Sequence, residues 1–525
     1  MKLPALLSAD RPAVPLDAGS PPSGRRGRAR PAFRAASALV AGLGALAMSL
    51  ALSGCSAAAP EAEEPAEVAE EELISFHGVA ARDVDRSLPD VDTIGYDVTL
   101  AYRGEETRSV GGRSLRTPVF SATVTAAYVA TAPITSLVVD FTQPHLGRVS
   151  SGSRTLAFQA VDSEHVKVSL GKTVRAGTGF RLTFAYEVLS RELDDRERED
   201  GGIVVTPTSM YSASWPRKGR WWLPLRDSPR DGAMFTAKLT FPEQFTVVSN
   251  GTERGVSTEA GMKTWRFELL TPTPSYGFFV GASTEWVRAD ATSAGGIPMP
   301  SWVTRAHASR RDDVLGGTPK ALDFLVSTYG PFPFGQAGFV EVPTTWGGGG
   351  MEHPTVVAID PSDFAGSPTD ARHTAFHELC HHYSGDGVRI ANWADFWLSE
   401  GFTEYLTHRS LEAVYGKTVS DARWRKTLSE ARATAAEHAL RPRNDALDVR
   451  EIFDGIVYVK GAWVLRTLEE AVGREKFDAF LKGWFTRHKH KAVTTEMLQK
   501  ELESELGRSF ETLFTSAVYG TGLPE

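Results

Sequence analysis

One short cluster limits what this chain can fold into more than any other feature. His377-Glu378-Leu379-Cys380-His381 is followed by eighteen residues and then Glu400. On a helix, residues i and i+4 lie on one face, so the His377 and His381 imidazoles can both reach one ion. Glu378 sits one step round the helix. It is out of line as a third ligand, but it can reach a water on the metal and take its proton. The ion still needs a third protein ligand and an open fourth position, and Glu400 supplies the ligand. The cluster therefore calls for two helices joined by a short loop that returns Glu400 to the histidines.

The local signals agree. Ser367-Pro368-Thr369-Asp370 offers a cap, a first-turn proline and an early acid, and predicts the start of the first helix. Gly385-Asp386-Gly387 predicts its stop. The second helix is expected to begin near Trp393 or Asp395. A bare His-Glu-x-x-His pattern recurs by chance in long chains. Glu400, set in Trp397-Leu398-Ser399-Glu400-Gly401-Phe402, makes it specific.

Two further segments carry chemistry. Gly338-Phe339-Val340-Glu341-Val342-Pro343 reads as a strand and leads to Gly349-Gly350-Met351-Glu352-His353, where glycines let a backbone approach a ligand closely. Tyr458-Val459-Lys460-Gly461-Ala462 lies in an apolar helical stretch.

With these motifs the chain resembles the gluzincin metallo-aminopeptidases of the aminopeptidase N type, from about Val91 to the C-terminus. Trp221-Trp222-Leu223-Pro224, Phe245-Thr246-Val247-Val248-Ser249-Asn250-Gly251 and Tyr519-Gly520-Thr521-Gly522-Leu523-Pro524 extend the resemblance. It implies one Zn²⁺ per chain on His377, His381 and Glu400, with Glu378 as catalytic base. It also implies that the strand of Gly349, Gly350, Met351 and Glu352 lies along a peptide substrate. Glu352 would bind the free α-amine, and Tyr458 would donate to the tetrahedral oxyanion. The implied activity is zinc-dependent hydrolysis of the N-terminal peptide bond.

There are departures from the family pattern. His353 stands where an asparagine is usual, and reads as a tolerated variant or an altered subsite. A glutamine usual in the N-terminal domain falls near Ala213. The chain ends where larger members add a helical domain, so an open cleft is expected. An endopeptidase of the same fold, or a non-catalytic peptide-binding lipoprotein, are the alternatives.

Around the motif, Glu404 lies four residues past Glu400, and Asp395 lies near the start of that helix. Either could orient a histidine. His373 shares a face with His377, and His382 is turned away. Cys380 reads as a small buried filler. His488 and His490 read as part of an exposed basic loop.

The expected architecture is α+β and multidomain. Residues 1–54 form a lipoprotein signal and 55–85 an acidic tether. Residues 86–295 form an antiparallel β saddle or sandwich, and 296–525 a thermolysin-like, mostly helical zinc catalytic domain. The signal rests on Arg25-Arg26-Gly27-Arg28-Ala29-Arg30, an apolar stretch from Ala35 to Leu52, and Leu52-Ser53-Gly54-Cys55. Cleavage before Cys55 and lipid on its sulfur would hold an exported protein on a bacterial membrane in the cell envelope. With Cys55 lipidated, Cys380 has no disulfide partner, since the chain holds 2 cysteines. The acidic Ala/Pro/Glu run after Cys55 has too little apolar content to fold. The β-rich expectation rests on alternating runs such as Gly95-Tyr96-Asp97-Val98-Thr99-Leu100, and the boundary on Gly/Pro-rich 295–300. Helical spacing is read at 319–325, 422–440, 462–472 and 495–506, the last capped by Thr494. A net charge of −8 excludes nucleic acid as a general partner.

Overall fold

A computed structural model describes residues 75–76, 79–80, 88–110, 113–142, 146–189, 191–192, 202–344, 348–445, 449–451 and 453–524. The expected signal, Cys55 and most of the tether lie outside the described residues.

The N-terminal half is β-structure, as its alternating patterns predict. Val91–Val110 and Arg113–Ala130 form a long antiparallel hairpin, from Val91 opposite Ala130 to Val110 opposite Arg113. Tyr96, Val98 and Leu100 of one strand and Val124, Ala126 and Tyr128 of the other are buried, as expected when strands bury one pleat face. This hairpin sits inside an eight-stranded sheet, in which Gly232–Pro242 runs parallel to Val91–Val110 and the other neighbours are antiparallel. That parallel pair departs from a purely antiparallel reading. A three-stranded sheet (Ile134–Asp140, His165–Val174, Phe158–Ala160) and a five-stranded one holding Ser209–Ala213, Val280–Ser283 and Thr246–Ser249 complete this half.

A second five-stranded sheet has the order Trp286–Ala289, Ser301–Thr304, Gly338–Glu341, Val356–Ile359, Gly350–Met351. Its first strand precedes the Gly/Pro-rich turn at 295–300 and pairs with Ser301–Thr304 just after it. Gly350–Met351 is an edge strand, antiparallel to Val356–Ile359.

The helices are α1 (Arg311–Leu315), α2 (Thr318–Tyr329), α3 (Pro361–Ala365), α4 (Pro368–His381), α5 (Trp397–Tyr415), α6 (Lys417–Thr434), α7 (Gly455–Val472), α8 (Arg474–Arg487) and α9 (Thr495–Leu506). Helix α4 starts after Ser367 with Pro368 in its first turn, as predicted. Thr494 caps α9, its hydroxyl accepting from the Met497 N–H at 3.3 Å. Asp454 caps α7 by accepting from the Ile456 N–H at 2.8 Å. The stretch predicted helical at 422–440 is instead Lys417–Thr434, because Gly416, at φ +87°, breaks the chain just before Lys417.

The β half fixes the glycine-rich strand. Asn250 donates to the carbonyls of Gly277 at 3.0 Å and Pro354 at 2.8 Å, and the Gly251 N–H donates to Thr355 Oγ1 at 2.6 Å. The Ser-Asn-Gly segment thus holds the turn that follows Glu352. Trp222 is fully buried, and its indole N–H donates to Ser214 Oγ at 3.0 Å.

Candidate active site

Helices α4 and α5 pack face to face and bring the predicted ligands together. His377 Nε2 and His381 Nε2 are 3.2 Å apart. Glu400 Oε2 lies 3.2 Å from the first and 3.3 Å from the second. Tetrahedral zinc with bonds of ~2.0–2.1 Å spaces its ligand atoms about 3.3 Å apart. This near-equilateral triangle is that set of three corners, so the residues present fit one catalytic Zn²⁺.

All three ligand residues are buried. Burial alone would raise Glu400, but the His381 and His377 imidazoles outweigh it and hold the carboxylate down at about 2. His381 is oriented by its Nδ1–H, which donates to the Ser384 carbonyl at 3.0 Å, with Thr403 Oγ1 at 3.1 Å. His377 Nδ1–H donates to Glu404 Oε2 at 3.0 Å. Glu404, one of the two acids that could orient a histidine, does so. Asp395 does not: it pairs with Arg441 at 3.0 Å and accepts from Thr495 at 2.7 Å, tying the turn before α5 to the start of α9.

A carboxylate oxygen of Glu378, one of Glu352 and a ring nitrogen of His381 lie within 4.8 Å of one another. Burial pushes Glu378 up to about 8 against the pull of the His377 and His381 imidazoles. It raises Glu352 as well. Gly350 must be glycine here: a Cβ on it would stand 2.4 Å from Glu378 Cγ. The edge strand therefore passes directly over the acid. The Tyr458 ring stacks on His377, centroids 5.7 Å apart, and the residue is half-buried.

The other expectations separate cleanly. His353 is buried, stacks on Phe279 at 4.6 Å and has Nδ1 3.3 Å from the Gly277 carbonyl, so it ties the turn after Glu352 to the β half. Ala213 lines a small apolar cavity with Met351 and His353. His382 is turned away and accepts from the Thr355 N–H at 3.0 Å. Cys380 is buried and free, its Sγ 3.8 Å from Ser410 Oγ, and burial pushes its thiol up to about 12. The reading of His488 and His490 as exposed is corrected: His488 is 8% exposed, packs tilted against Trp484 and lies 2.8 Å from Glu501, and His490 is half-buried against Phe334. The helical neighbour α9 covers His488, a contact that the local basic sequence does not announce.

Sequence reasoning did not single out His408. It lies eight residues past Glu400, on the same helical face, and its Nε2 is 3.0 Å from Glu404 Oε1. The i, i+4, i+8 spacing was the available signal.

Residues 314–516 match the peptidase family M1 domain, and residues 96–276 match the peptidase M1 N-terminal domain. The chain belongs to peptidase family M1. Its M1 relatives include leukotriene A-4 hydrolase of Xenopus laevis, 26% identical over 71% of this chain and 65% of that protein. Leucine aminopeptidase 2 of Emericella nidulans is 29% identical over 60% of this chain and 53% of its own. The chain thus spans between half and two thirds of these curated relatives. An M1 zinc metallopeptidase structure from Deinococcus radiodurans superposes with a TM-score of 0.72 at 24% identity, covering 83% of this chain and 96% of that one. The M1 fold, an N-terminal β region followed by a helical catalytic region, is therefore shared.

Proposed function

We propose that this chain is a zinc-dependent aminopeptidase that hydrolyses the N-terminal peptide bond of peptides. The observation that carries the reading is the near-equilateral His377–His381–Glu400 triangle with the Glu352 carboxylate set beside it. A bound zinc ion would supply Lewis acidity to the scissile carbonyl and lower the pKa of its water towards ~7.

The chain's own residues do the rest. Glu352 pairs with the substrate ammonium and sets the register, so the bond placed over Glu378 is the first one. A blocked N-terminus leaves that buried carboxylate unpaired, which selects against it. Gly349, Gly350 and Met351 offer a strand edge along which an extended peptide can lie. Glu378 takes the proton of the attacking water and returns one to the leaving amine. Tyr458 donates its phenolic hydrogen to the developing oxyanion.

Residues 86–295 are read as the N-terminal β domain and 296–525 as the catalytic domain. The basic run, the apolar stretch and Leu52-Ser53-Gly54-Cys55 support a cell-envelope lipoprotein, held on the membrane by lipid on Cys55 through the acidic tether. Cys55→Ala should shift it from the membrane fraction to the soluble one. Unchanged fractionation would rule the anchor out.

The function is tested with one peptide in free and N-acetylated forms, with and without a zinc chelator. Stepwise, chelator-sensitive trimming of the free form alone supports the reading. Cleavage of both forms would move it to an endopeptidase, and cleavage of neither would leave a peptide-binding lipoprotein.

A further inference from the structure

Two ladders face each other across the α4–α5 interface. His373, His377 and His381 are rungs at i, i+4 and i+8 on α4, and Glu400, Glu404 and His408 are rungs at the same spacing on α5. The helices run antiparallel, so His381 meets Glu400 at one end while His373 meets Glu404 and His408 at the other. One end is the metal triangle, and the middle rung joins it to the far end through His377 and Glu404.

At the far end, Glu404 Oε1 is 2.9 Å from His373 Nε2 and 3.0 Å from His408 Nε2, while its Oε2 accepts from His377 Nδ1–H at 3.0 Å. One carboxylate thus serves three imidazoles, all of them buried. Both remaining ring nitrogens, His373 Nδ1 and His408 Nδ1, are buried and have no hydrogen-bond partner among the described residues. A neutral imidazole carries one N–H. That hydrogen belongs on the nitrogen facing the carboxylate, which leaves Nδ1 as a bare acceptor.

The alternative is a second metal site, since His373, Glu404 and His408 each offer one ligand atom within 4.8 Å of the others. Three observations oppose it. The His373 and His408 rings are 6.0 Å apart centroid to centroid, against 4.9 Å for His377 and His381. Metal on the Nε2 atoms would force hydrogens onto two buried Nδ1 atoms that have no acceptor within hydrogen-bond distance among the described residues. The Arg423 guanidinium also lies close enough to His373 to repel a further positive charge.

We propose that His373 and His408 are positioning residues for the metal centre: they pin the Glu404 carboxylate so that it fixes the tautomer and ring plane of His377. Unpinned, Glu404 could rotate away, and His377 would lose the partner that aims its Nε2. This inference rests on the proposed function only in taking the triangle as the zinc site.

The test reads zinc affinity, by chelator competition on folded apo-protein, with metal stoichiometry and thermal unfolding beside it. His373→Leu and His408→Leu remove one N–H donor each, whereas His373→Gln and His408→Gln keep a donor near the Nε2 position. Each Leu variant should bind zinc up to ~10-fold more weakly, the low end of the ~10–100-fold cost of losing a direct partner of a metal ligand, because His373 and His408 act one hydrogen bond further out; each Gln variant should recover most of that loss. A merely structural role would lower the unfolding temperature without separating Leu from Gln in affinity. Zinc affinity within twofold of wild type in folded Leu variants would overturn the proposal. So would two zinc ions in wild type with one lost in His408→Leu. Should the Leu variants not fold, His373→Asn and His408→Asn, whose amide falls at the Nδ1 rather than the Nε2 position, take their place, and affinities equal to those of the Gln variants overturn the proposal. Peptide assays run in parallel keep the two readings apart. A protein that binds zinc in this pattern but cuts nothing loses the proposed function and keeps the pinning of Glu404 by His373 and His408. A cleaving protein with unchanged affinities loses that pinning role alone.

Discussion

Gly401 and Gly461 touch backbone to backbone: a Cβ on either would lie 2.8 Å from the Cα of the other. Gly401 follows ligand Glu400 on α5, and Gly461 lies three residues past Tyr458 on α7. The two helices approach this closely because neither has a side chain at the crossing. The Glu-Gly and Lys-Gly-Ala motifs are therefore packing statements as well as chemical ones: they set how far the Tyr458 ring stands from His377.

Gly461→Ala should wedge the two helices apart. Overpacking of this kind costs ~1–3 kcal/mol, and a displaced Tyr458 should lower kcat roughly 10–10²-fold. Gly335→Ala is the control, because nothing lies within 4 Å of a Cβ there. Chemical denaturation and steady-state kinetics on both variants read the contrast, and equal behaviour of the two would refute the close-packing argument.

Glu378→Gln keeps the shape under Gly350 and removes the proton acceptor. It should cut kcat by ~10²–10⁴-fold while zinc content stays at wild-type level. Metal analysis alongside the assay separates lost chemistry from lost metal. A variant with normal kcat would sink the assignment of Glu378 as base.

Glu352→Gln should weaken kcat/KM on free-amine peptides by roughly 10²-fold, the scale of losing one partner of a buried charge pair. The preference for the free over the N-acetylated form, compared as competing ligands, should narrow, since a neutral amide leaves no buried charge unpaired. An unchanged preference would place end-recognition elsewhere.

Asp231 gives a stability signature far from the chemistry. Burial raises it to about 6, although its carboxylate accepts from the Thr93 hydroxyl and N–H, with Arg226 and Arg389 pulling the other way. An unfolded aspartate titrates at ~3.9, so the native state holds this proton more tightly. Its stabilising contribution is full below about pH 4 and is lost as pH rises through about 6. Asp231→Asn should therefore gain on wild type between pH 4 and pH 7, on the order of 2 kcal/mol. Paired urea titrations at the two pH values measure the gain. No difference in slope would show that the carboxylate is not protonated by burial.

The helices were legible because their signals are local. Ser367-Pro368 opens α4, Thr494 caps α9, and the i, i+4 spacing of His377 and His381 needs nothing beyond the helix to share a face. The alternating strands of the β half were legible for the same reason. His488 was misread because its basic neighbours say nothing of α9 folding over it. His408 was passed over because its partner Glu404 becomes a shared carboxylate only when α4 arrives alongside.

By itself, the sequence determined which groups could form a metal site and which backbone segments would carry them, because helix periodicity and caps act over a few residues. Only the tertiary structure decided the rest. It closed the triangle to 3.2–3.3 Å, laid Gly350 over Glu378 and brought Gly401 against Gly461. It also turned one glutamate into the acceptor for three histidines. Most of those relations join residues tens of positions apart. They depend on how side-chain volumes and buried charges settle when whole helices and sheets pack, which no local pattern encodes.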